Sequence, residues 1–261
     1  MVSESIASSE QKNEWQMISA TAIIPARSGS KSIRDKNLAV IGGYPLIAYS
    51  IAAAKMSRII GRTIVSTDSI DYARISEKYG AEVPFLRPAE LSSDLSNDRE
   101  FMVHAMESLQ DDNGVIDEYW VHLRPTTPLR DPLHIDAALT LIGGNKSATS
   151  LRSAHPCPES PFKWFRHSHD GFLMPIDSEN TALDRLNLPR QSYPDVYIPD
   201  GYVDVVKSSF VLSTPLLHGD RVLAYTSPAC TEVDSPEELA RLEYEVRTFG
   251  SPLMDYLESC R

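Results

Sequence analysis

Short apolar runs that alternate with helical segments restrict the fold of this chain more than any other feature of its sequence. Apolar runs typical of buried strands occupy residues 20–25, 62–66, 82–86 and 118–123. Helical segments lie at residues 45–56, 69–79, 98–110 and 131–142. Strands separated by helices predict an α/β fold with a mainly parallel, doubly wound sheet, in which ligands bind at the carboxyl ends of the strands. The loops at residues 26–37 and 124–130 should therefore share one rim of the sheet.

The alternation stops between residues 154 and 197, where prolines accumulate. The segments KWFRH and GFLMPI are typical of the two strands of a β-hairpin, and we predict a protruding arm here. Strands resume at residues 202–206 and 221–225, and a capping box of Ser235, Pro236 and Glu238 begins a last helix. We therefore predict a flexible leader at residues 1–17, one domain at 18–250 that includes the arm, and a C-terminal tail at 251–261.

The bulk composition narrows the class of protein. The chain has 25 Lys and Arg against 36 Asp and Glu, a net charge of −11, which argues against a nucleic-acid partner. Cys157, Cys230 and Cys260 show no CxxC spacing, and no export signal precedes them, so we expect a reduced, cytoplasmic protein. No apolar run approaches the roughly 20 residues that cross a bilayer, so we expect no membrane partner.

The loop after the first apolar run concentrates small and basic residues. It contains Arg27, Ser28, Gly29, Ser30, Lys31, Ser32, Lys36 and Asn37. Glycine lets backbone N–H groups approach an anion closely, and three cationic side chains add charge, so the loop suits a polyphosphate. It is neither a Walker A loop nor a GxGxxG fingerprint. The alternative interpretation is a solvated basic turn.

Six segments carry a family resemblance. In chain order they are IIPARSGSKSIRDKN, VSTDS, LRPAELSSD, LRPTTPLR, LPRQSYPDVYIPDGYVDV and EVDSPEEL. Together they resemble the successive motifs of the acylneuraminate cytidylyltransferases, the CMP-sialic acid synthetase family, over roughly residues 20 to 245. The resemblance implies a Rossmann-like nucleotidyltransferase domain that transfers CMP from CTP to the anomeric hydroxyl of a 2-keto-3-deoxy (nonulosonic) sugar acid. Pyrophosphate is released, and Mg²⁺ is the expected cofactor.

By similarity, Arg27, Lys36 and Asp234 are the expected catalytic residues. The expected nucleotide-binding set is Ala26, Arg27, Ser28, Gly29, Lys31, Lys36, Asn37 and Ser66. Asp68, which ends the same segment as Ser66, is interpreted mainly as a helix cap.

Glu232 and Asp234 are the expected metal ligands. They alternate on an extended segment, so both carboxylates can point the same way, and hard oxygen ligands suit Mg²⁺. Relatives commonly have two aspartates here, so Glu232 is a departure from the family pattern. The alternative for Asp234 is a capping role at the following helix.

The expected sugar-binding residues come from three motifs. They are Arg124, Thr126, Thr127, Lys163, Arg190, Asp200 and Gly201. Arg124 stands where sialate-activating relatives usually have glutamine, and Asp200 stands where asparagine is common, so the sugar can differ from N-acetylneuraminate. Arg130 is interpreted as a surface residue at a helix start or a ligand contact.

The arm implies a homodimer. In the family, an arm of this sort reaches into the neighbouring subunit and brings a lysine and an arginine to the sugar acid, and Lys163 and Arg190 occupy the matching places. Two alternatives stay open. One is a nucleotidyltransferase for another sugar class, either an octulosonate or an amino or phosphorylated hexose. The other is a non-catalytic nucleotide-binding protein on the same fold.

Overall fold

The structure, a computed structural model, describes residues 18–113, 116–176 and 183–261. In chain order, the strands in these ranges are β1 (Ala20–Pro25), β2 (Val40–Ile41), β3 (Tyr44–Pro45), β4 (Ile60–Ser66), β5 (Tyr119–His122), β6 (Ser150–Pro156), β7 (Phe165–His167), β8 (Leu173–Pro175), β9 (Tyr197–Lys207) and β10 (Val222–Thr226). The α-helices are α1 (Leu46–Met56), α2 (Ile70–Lys78), α3 (Asp98–Asn113), α4 (Pro132–Gly143), α5 (Ser208–Ser213), α6 (Pro236–Phe249) and α7 (Met254–Ser259).

A six-stranded sheet in the order β10-β6-β9-β5-β1-β4 forms the centre of the molecule. β1 is parallel to both β4 and β5, and β10 is parallel to β6. β9 is antiparallel to its two neighbours, β5 and β6. The predicted α/β fold with a mainly parallel sheet is therefore confirmed, with one antiparallel strand inserted near its middle.

Two apolar layers cover the two faces of the sheet. Ile24 of β1 packs in the layer that contains α1, α4, α6 and α7, whereas its neighbour Ile23 packs in the layer that contains α3 and α5. Successive strand residues face opposite sides, so a strand covered on both faces needs a nearly continuous apolar run. Helix α1 is buried along most of its length, as predicted from its apolar sequence.

The structure differs from the sequence prediction in three places. Residues 82–86 form no strand; only Glu82 makes an isolated parallel bridge with Ile64, and Pro84, which has no N–H, cannot extend the pairing. β6 was not predicted, because its sequence SLRSAHP alternates polar side chains with few apolar ones. It places the start of the arm inside a strand, since His155 of β6 pairs with Ile198 of β9.

The hairpin predicted in the arm is present. β7 pairs antiparallel with β8, and Phe165 lies opposite Pro175. Large apolar side chains of this segment are exposed: Trp164, Phe165, Phe172, Leu173, Met174 and Ile176. The arm therefore presents an apolar surface that nothing in the described chain covers.

The C-terminal segment is a packed element, not the tail that we predict from sequence. Leu253 and Leu257, before and within α7, are completely buried in the same layer as α1. The Tyr256 hydroxyl donates to the Tyr79 carbonyl at 3.0 Å, and the Arg261 guanidinium lies 4.7 Å from the centre of the Tyr44 ring. The predicted leader at residues 1–17 lies outside the described residues. None of the helices in the described ranges combines the length and apolar character needed to span a bilayer.

Candidate active site

A cleft opens at the carboxyl ends of β1 and β5. Its lining residues are Pro25, Arg27, Ser30, Lys36, Asn37, Arg87, Ser93, Ser96, Asp98, Phe101, His122, Arg124, Pro125 and Thr126. Residues of both predicted rim loops face each other across it. The expected placement of the two loops on one rim is therefore confirmed.

The loop after β1 is fixed to β4 and to the turn that follows it. The Ala26 N–H donates to the Ser66 carbonyl at 2.9 Å, and the Ser28 N–H and hydroxyl each donate to the Asp68 carboxylate at 2.7 Å. Gly29 adopts a φ of 73°, a conformation that L side chains rarely adopt. The predicted helix-capping role of Asp68 is wrong, because the cap of α2 is Ser69, whose hydroxyl accepts from a backbone N–H.

Two loop cations converge on one carboxylate. Arg27 pairs with Asp94 at 2.7 Å, and Lys31 pairs with the other oxygen of the same carboxylate. Hydrogen bonds from Lys31 and then Arg27 hold the pKa of Asp94 below its usual range. A triphosphate that binds these cations would compete with Asp94 for them.

Lys36 joins the loop to the metal candidates. It is buried, and its Nζ donates to Asp234 Oδ1 at 2.8 Å and to the Val233 carbonyl at 3.0 Å. The Val233 N–H in turn donates to the Thr126 carbonyl at 2.8 Å. Three segments that are distant in sequence are thereby held together around one ammonium group.

Asp234 uses its backbone, and not its carboxylate, at the start of α6. Its N–H donates to the Glu238 carboxylate at 2.7 Å, and Ser235 completes the predicted capping box. The Asp234 side chain is 67% exposed and contacts Lys36, so the capping alternative is excluded for the carboxylate. Partial burial, and then the charge of Asp234, raise the pKa of the neighbouring Glu232 carboxyl.

These two carboxylates fit a magnesium ion in part. No group of three or more His, Cys, Asp or Glu side chains in the described ranges is arranged to share a metal. Mg²⁺ commonly takes only one or two carboxylates and completes its shell with water and substrate phosphates. Glu232 and Asp234 supply oxygen donors of that kind beside the cationic loop.

Arg124 is held at the opposite wall by two carboxylates. Its guanidinium donates to Asp204 at 2.9 Å and to Asp98 at 2.8 Å. Gly201 lies directly beneath, with a φ of 59°, and an added Cβ would lie 2.9 Å from an Arg124 nitrogen. Arg124 and Thr126 line the cleft as predicted, and Gly201 makes room for the guanidinium.

Three of the predicted ligand contacts are occupied inside the fold. The buried hydroxyl of Thr127 donates to the Asp200 carbonyl at 3.2 Å, and the buried Ser66 hydroxyl accepts from Arg87 at 3.0 Å. The Asp200 carboxylate accepts hydrogen bonds from Ser153, Ser227 and the Tyr202 N–H. We therefore reassign Ser66, Thr127 and Asp200 from ligand binding to structural roles inside the fold.

The hydrogen bonds to Asp200 also keep it ionised. Burial opposes ionisation, but the Ser153 and Ser227 hydroxyls and the Tyr202 N–H outweigh it, and the pKa of Asp200 lies below its usual value. A carboxylate satisfied in this way has little capacity left for a ligand.

Arg130 is a structural residue, so both interpretations made from the sequence are wrong. It is completely buried, and burial lowers its pKa to about 10. Its guanidinium donates to four acceptors: the Tyr202, Gly201 and Arg124 carbonyls and the Ser50 hydroxyl. It ties α1, β9 and the Arg124 loop together.

Several residues of the cleft wall were not singled out from the sequence. Arg87 is buried, donates to the Ser66 carbonyl at 2.6 Å and lies 4.7 Å from the centre of the Phe101 ring. Burial lowers its pKa to about 10. Arg87 lies in LRPAELSSD, one of the six segments that resemble the family, and this membership was its signal in the sequence. Asp98 and His122 had no such signal. In the sequence, Asp98 is typical of the start of a helix, and His122 continues an apolar strand.

The arm cations lie apart from this cleft within one chain. Lys163 Nζ lies 5.6 Å from the centre of the Tyr193 ring, and the exposed Arg190 donates to the Cys157 carbonyl at 3.0 Å. Neither side chain lines the cleft. Their predicted contact with a sugar is not formed in this cleft by the chain's own arm.

Comparisons with known proteins are consistent with this geometry. The family model for cytidylyltransferases matches residues 21–158. The chain is 33% identical over 229 residues to an N-acylneuraminate cytidylyltransferase of Escherichia coli O18:K1:H7, covering 86% of this chain and 50% of the relative. It is 30% identical to the post-translational flagellin modification protein B of Campylobacter coli, covering 83% of this chain and 89% of the relative.

Two further likenesses concern a sugar acid and the fold. Over 120 residues, 46% of this chain and 51% of the relative, the chain is 38% identical to the CMP-N,N'-diacetyllegionaminic acid synthase of Legionella pneumophila. The structure of a CMP:2-keto-3-deoxy-manno-octonic acid synthetase complexed with CTP superposes with a TM-score of 0.66 at 15% identity, covering 88% of this chain and 98% of that one. The chain thus spans about half the length of the Escherichia coli relative but most of the Campylobacter coli one. These matches establish that the chain belongs to the cytidylyltransferase family.

Proposed function

We propose that this chain transfers CMP from CTP to the anomeric hydroxyl of a nonulosonic sugar acid. The observation that carries the proposal is the buried Lys36, which lines the cleft and donates a hydrogen bond to Asp234. That arrangement brings cations and a carboxylate pair to the place where a triphosphate would react. Relatives named for N-acylneuraminate and N,N'-diacetyllegionaminic acid support the class of acceptor.

In the proposed reaction, the anomeric oxygen forms a bond to the α-phosphorus of CTP while the bond to the bridging oxygen of the β-phosphate breaks. Pyrophosphate leaves with that electron pair, and the hydroxyl proton passes to solvent. The backbone of the loop after β1, with Arg27 and Lys31, binds phosphate oxygens in place of Asp94. Lys36 neutralises charge at the reacting end, and such positioning accounts for most of the catalysis that a protein offers here.

Glu232 and Asp234 would hold the Mg²⁺ that we propose as cofactor. When bound, the ion supplies charge neutralisation on the triphosphate. The free thiols of Cys157, Cys230 and Cys260 support a further proposal, that the protein works in a reducing compartment such as the cytoplasm.

The test is pyrophosphate release from each of the four nucleoside triphosphates with a panel of acceptors and Mg²⁺. The panel contains N-acetylneuraminate, legionaminate- and pseudaminate-type acids, an octulosonate and a neutral hexose. Release with CTP and a nonulosonic acid supports the proposal. Release only with another nucleotide, the octulosonate or the hexose contradicts it, and CTP binding without any release would favour a non-catalytic protein.

We also propose a homodimer in which the arm of each subunit serves the cleft of its partner. The apolar side chains exposed on β7 and β8 support an interface there, since a large exposed apolar patch is typical of a binding surface. Lys163 and Arg190 lie outside the cleft of their own chain, and a partner's cleft would use both.

This arrangement makes a prediction for mixed dimers of Arg190→Ala and Asp234→Asn chains, each of which should be nearly inactive alone. In a mixed dimer with exchanged arms, one cleft has an intact Asp234 and receives an intact Arg190, whereas the other carries both defects. In random assembly half of the dimers are mixed, and each mixed dimer has one intact cleft. The unfractionated mixture should therefore have about a quarter of wild-type turnover. The measurement is turnover of co-expressed chains that carry two different tags and are purified through both.

Doubly tagged dimers have one intact cleft each, so their expected turnover per dimer is about half of the wild-type value. No recovery in dimers verified by mass would mean that each arm serves its own chain. A purely monomeric wild type would contradict the interface itself.

A further inference from the structure

Three neighbouring strands place polar side chains side by side in the middle of the sheet. His122 of β5 lies directly opposite Asp204 of β9, and Asp204 lies directly opposite Arg152 of β6. We call these three residues the polar row. Their strands are otherwise largely apolar on this face, where Trp120 and Val206 lie two residues away in the layer with α3.

The charges around the polar row balance. Arg124 bridges Asp204 and Asp98, and the Arg152 Nε lies 3.6 Å from the second oxygen of Asp204. Two guanidinium groups therefore face two carboxylates. His122 adds no charge, because its burial, and then the neighbouring Arg124, hold its pKa well below the usual value. An ionic group entering here would lose its hydration without meeting an unpaired opposite charge.

The hydrogen-bonding capacity of the row, in contrast, is only partly used, since Asp204 accepts from Arg124 but His122 makes no hydrogen bond within the described residues. His122 is 1% exposed, and neither of its ring nitrogens has a hydrogen-bond partner among the described residues. Its Nδ1 lies 3.9 Å from the nearest Asp98 oxygen, too far for a hydrogen bond. Arg152 Nε, Asp204 Oδ1 and His218 Nδ1 are also buried and make no hydrogen bond within the described residues, although the first two form an ion pair at 3.6 Å. Most buried polar groups are paired, so a group of unpaired ones beside a cleft needs a partner from outside.

His122 is the member of the row that reaches the cleft. It lines the cleft with Asp98 and Arg124, and its ring packs edge-on to Phe101 with centroids 5.4 Å apart. The adjoining loop holds Val233 through the Thr126 carbonyl, which places this end of the cleft beside the carboxylate segment. An acceptor that reacts there would extend toward His122.

We propose that His122, with Arg124 and Asp98 beside it, forms a subsite that selects an uncharged acylamido substituent on the sugar acid. The inference rests on the proposed function and narrows its substrate class. A neutral imidazole offers one donor and one acceptor, and an amide offers one N–H and one C=O to match them. An apolar substituent would leave both nitrogens unpaired, and a site built to hydrogen-bond a group rejects analogues that lack it.

The test compares pairs of sugar acids that differ only in an acetamido group replaced by a hydroxyl, at each amino-bearing position. Wild type and His122→Leu are assayed for kcat/KM with each acid, and their CTP affinity is measured by calorimetry without acid. We expect wild type to prefer one acetamido acid by tenfold or more, since unpaired polar groups penalise the analogue. His122→Leu should lose most of that preference while its CTP affinity stays unchanged, and His122→Gln, which keeps one donor and one acceptor, should regain part of it.

His104→Leu is the matched control. His104 also has a buried, unpartnered Nδ1, but it packs on Phe85 and does not line the cleft. Its replacement should leave the acid preference unchanged. Asp98→Asn changes a half-exposed side chain and serves as a second variant if His122→Leu does not fold. It should also lower the preference for the acetamido acid.

The outcomes separate the inference from the proposed function. Turnover of CTP with any nonulosonic acid supports the function, and an active wild type with no preference within any acid pair overturns the inference alone. A loss of CTP affinity in His122→Leu equal to the loss in kcat/KM would place the base, and not the sugar, at this subsite and also overturn the inference. Equal losses with both acids of the preferred pair would show that His122 only supports the fold.

Discussion

Replacing Asp234 with asparagine is expected to lower kcat for pyrophosphate release by about a hundredfold or more, while the chain still folds and binds CTP. The amide keeps an oxygen that can accept the hydrogen bond from Lys36, so the 2.8 Å contact and the adjoining capping box should survive. What is lost is the negative charge beside Glu232. Without it, the proposed site holds Mg²⁺ less tightly.

The measurement is kcat as a function of Mg²⁺ concentration, with Asp255→Asn on α7 as the control. Asp255 is exposed on α7 and does not line the cleft, so its substitution should leave both kcat and the Mg²⁺ dependence unchanged. For Asp234→Asn, a higher Mg²⁺ concentration should be needed for half-maximal rate. Turnover near wild type at limiting Mg²⁺ would remove Asp234 from the metal site. A slow enzyme with an unaltered Mg²⁺ dependence would assign the loss to Lys36 instead.

The loop around Gly29 and the start of α6 could be predicted because their signals are local. A strand, a glycine and nearby cations stand within a few residues in the first case, and Ser235 and Glu238 form a capping box in the second. Their meeting could not be derived from spacing. Lys36 and Asp234 are 198 positions apart in the sequence and lie 2.8 Å apart in the fold. The segment before α6 is held near Lys36 by the hydrogen bond from the Val233 N–H to the Thr126 carbonyl.

The cleft wall shows where local patterns mislead. Arg130 precedes Asp131 and Pro132, a helix start that normally lies at the surface, yet it is completely buried and bonded to α1, β9 and the Arg124 loop. His122 ends an apolar strand and reads as a packing residue. The other two members of the polar row, Asp204 and Arg152, come from strands that are adjacent to β5 and to each other only in the folded sheet. β6 itself was missed because Arg152 of this row and the other polar residues of the strand interrupt its apolar pattern. Arg152 thus both obscures β6 in the sequence and belongs to the polar row next to the proposed subsite.

Replacing Arg130 with methionine is expected to destabilise the fold by roughly 3–5 kcal/mol, because several buried acceptors lose the donor that now satisfies them. Methionine fills a similar volume, but it removes the Arg130 donors from three carbonyl oxygens and the Ser50 hydroxyl. Of these, the Arg124 carbonyl keeps the Ser50 hydroxyl and the Thr127 N–H as donors. Each such buried group costs about 1–3 kcal/mol when left unpaired. For a chain of this size, that corresponds to a fall in Tm of about 10 °C.

Arg130→Lys tests whether geometry or charge is responsible, with Arg74→Met as the control. A lysine keeps the charge, but its three donors on one nitrogen cannot reach acceptors spread over α1, β9 and the Arg124 loop, so it should recover only a minor part of the stability. Arg74 is exposed on α2, and its replacement should change Tm little. A Tm for Arg130→Met within about 2 °C of wild type would mean that the freed carbonyls find other partners. Because one of those carbonyls belongs to Arg124, the same variant should also weaken the acid preference ascribed to the subsite at His122, even at temperatures where it is fully folded.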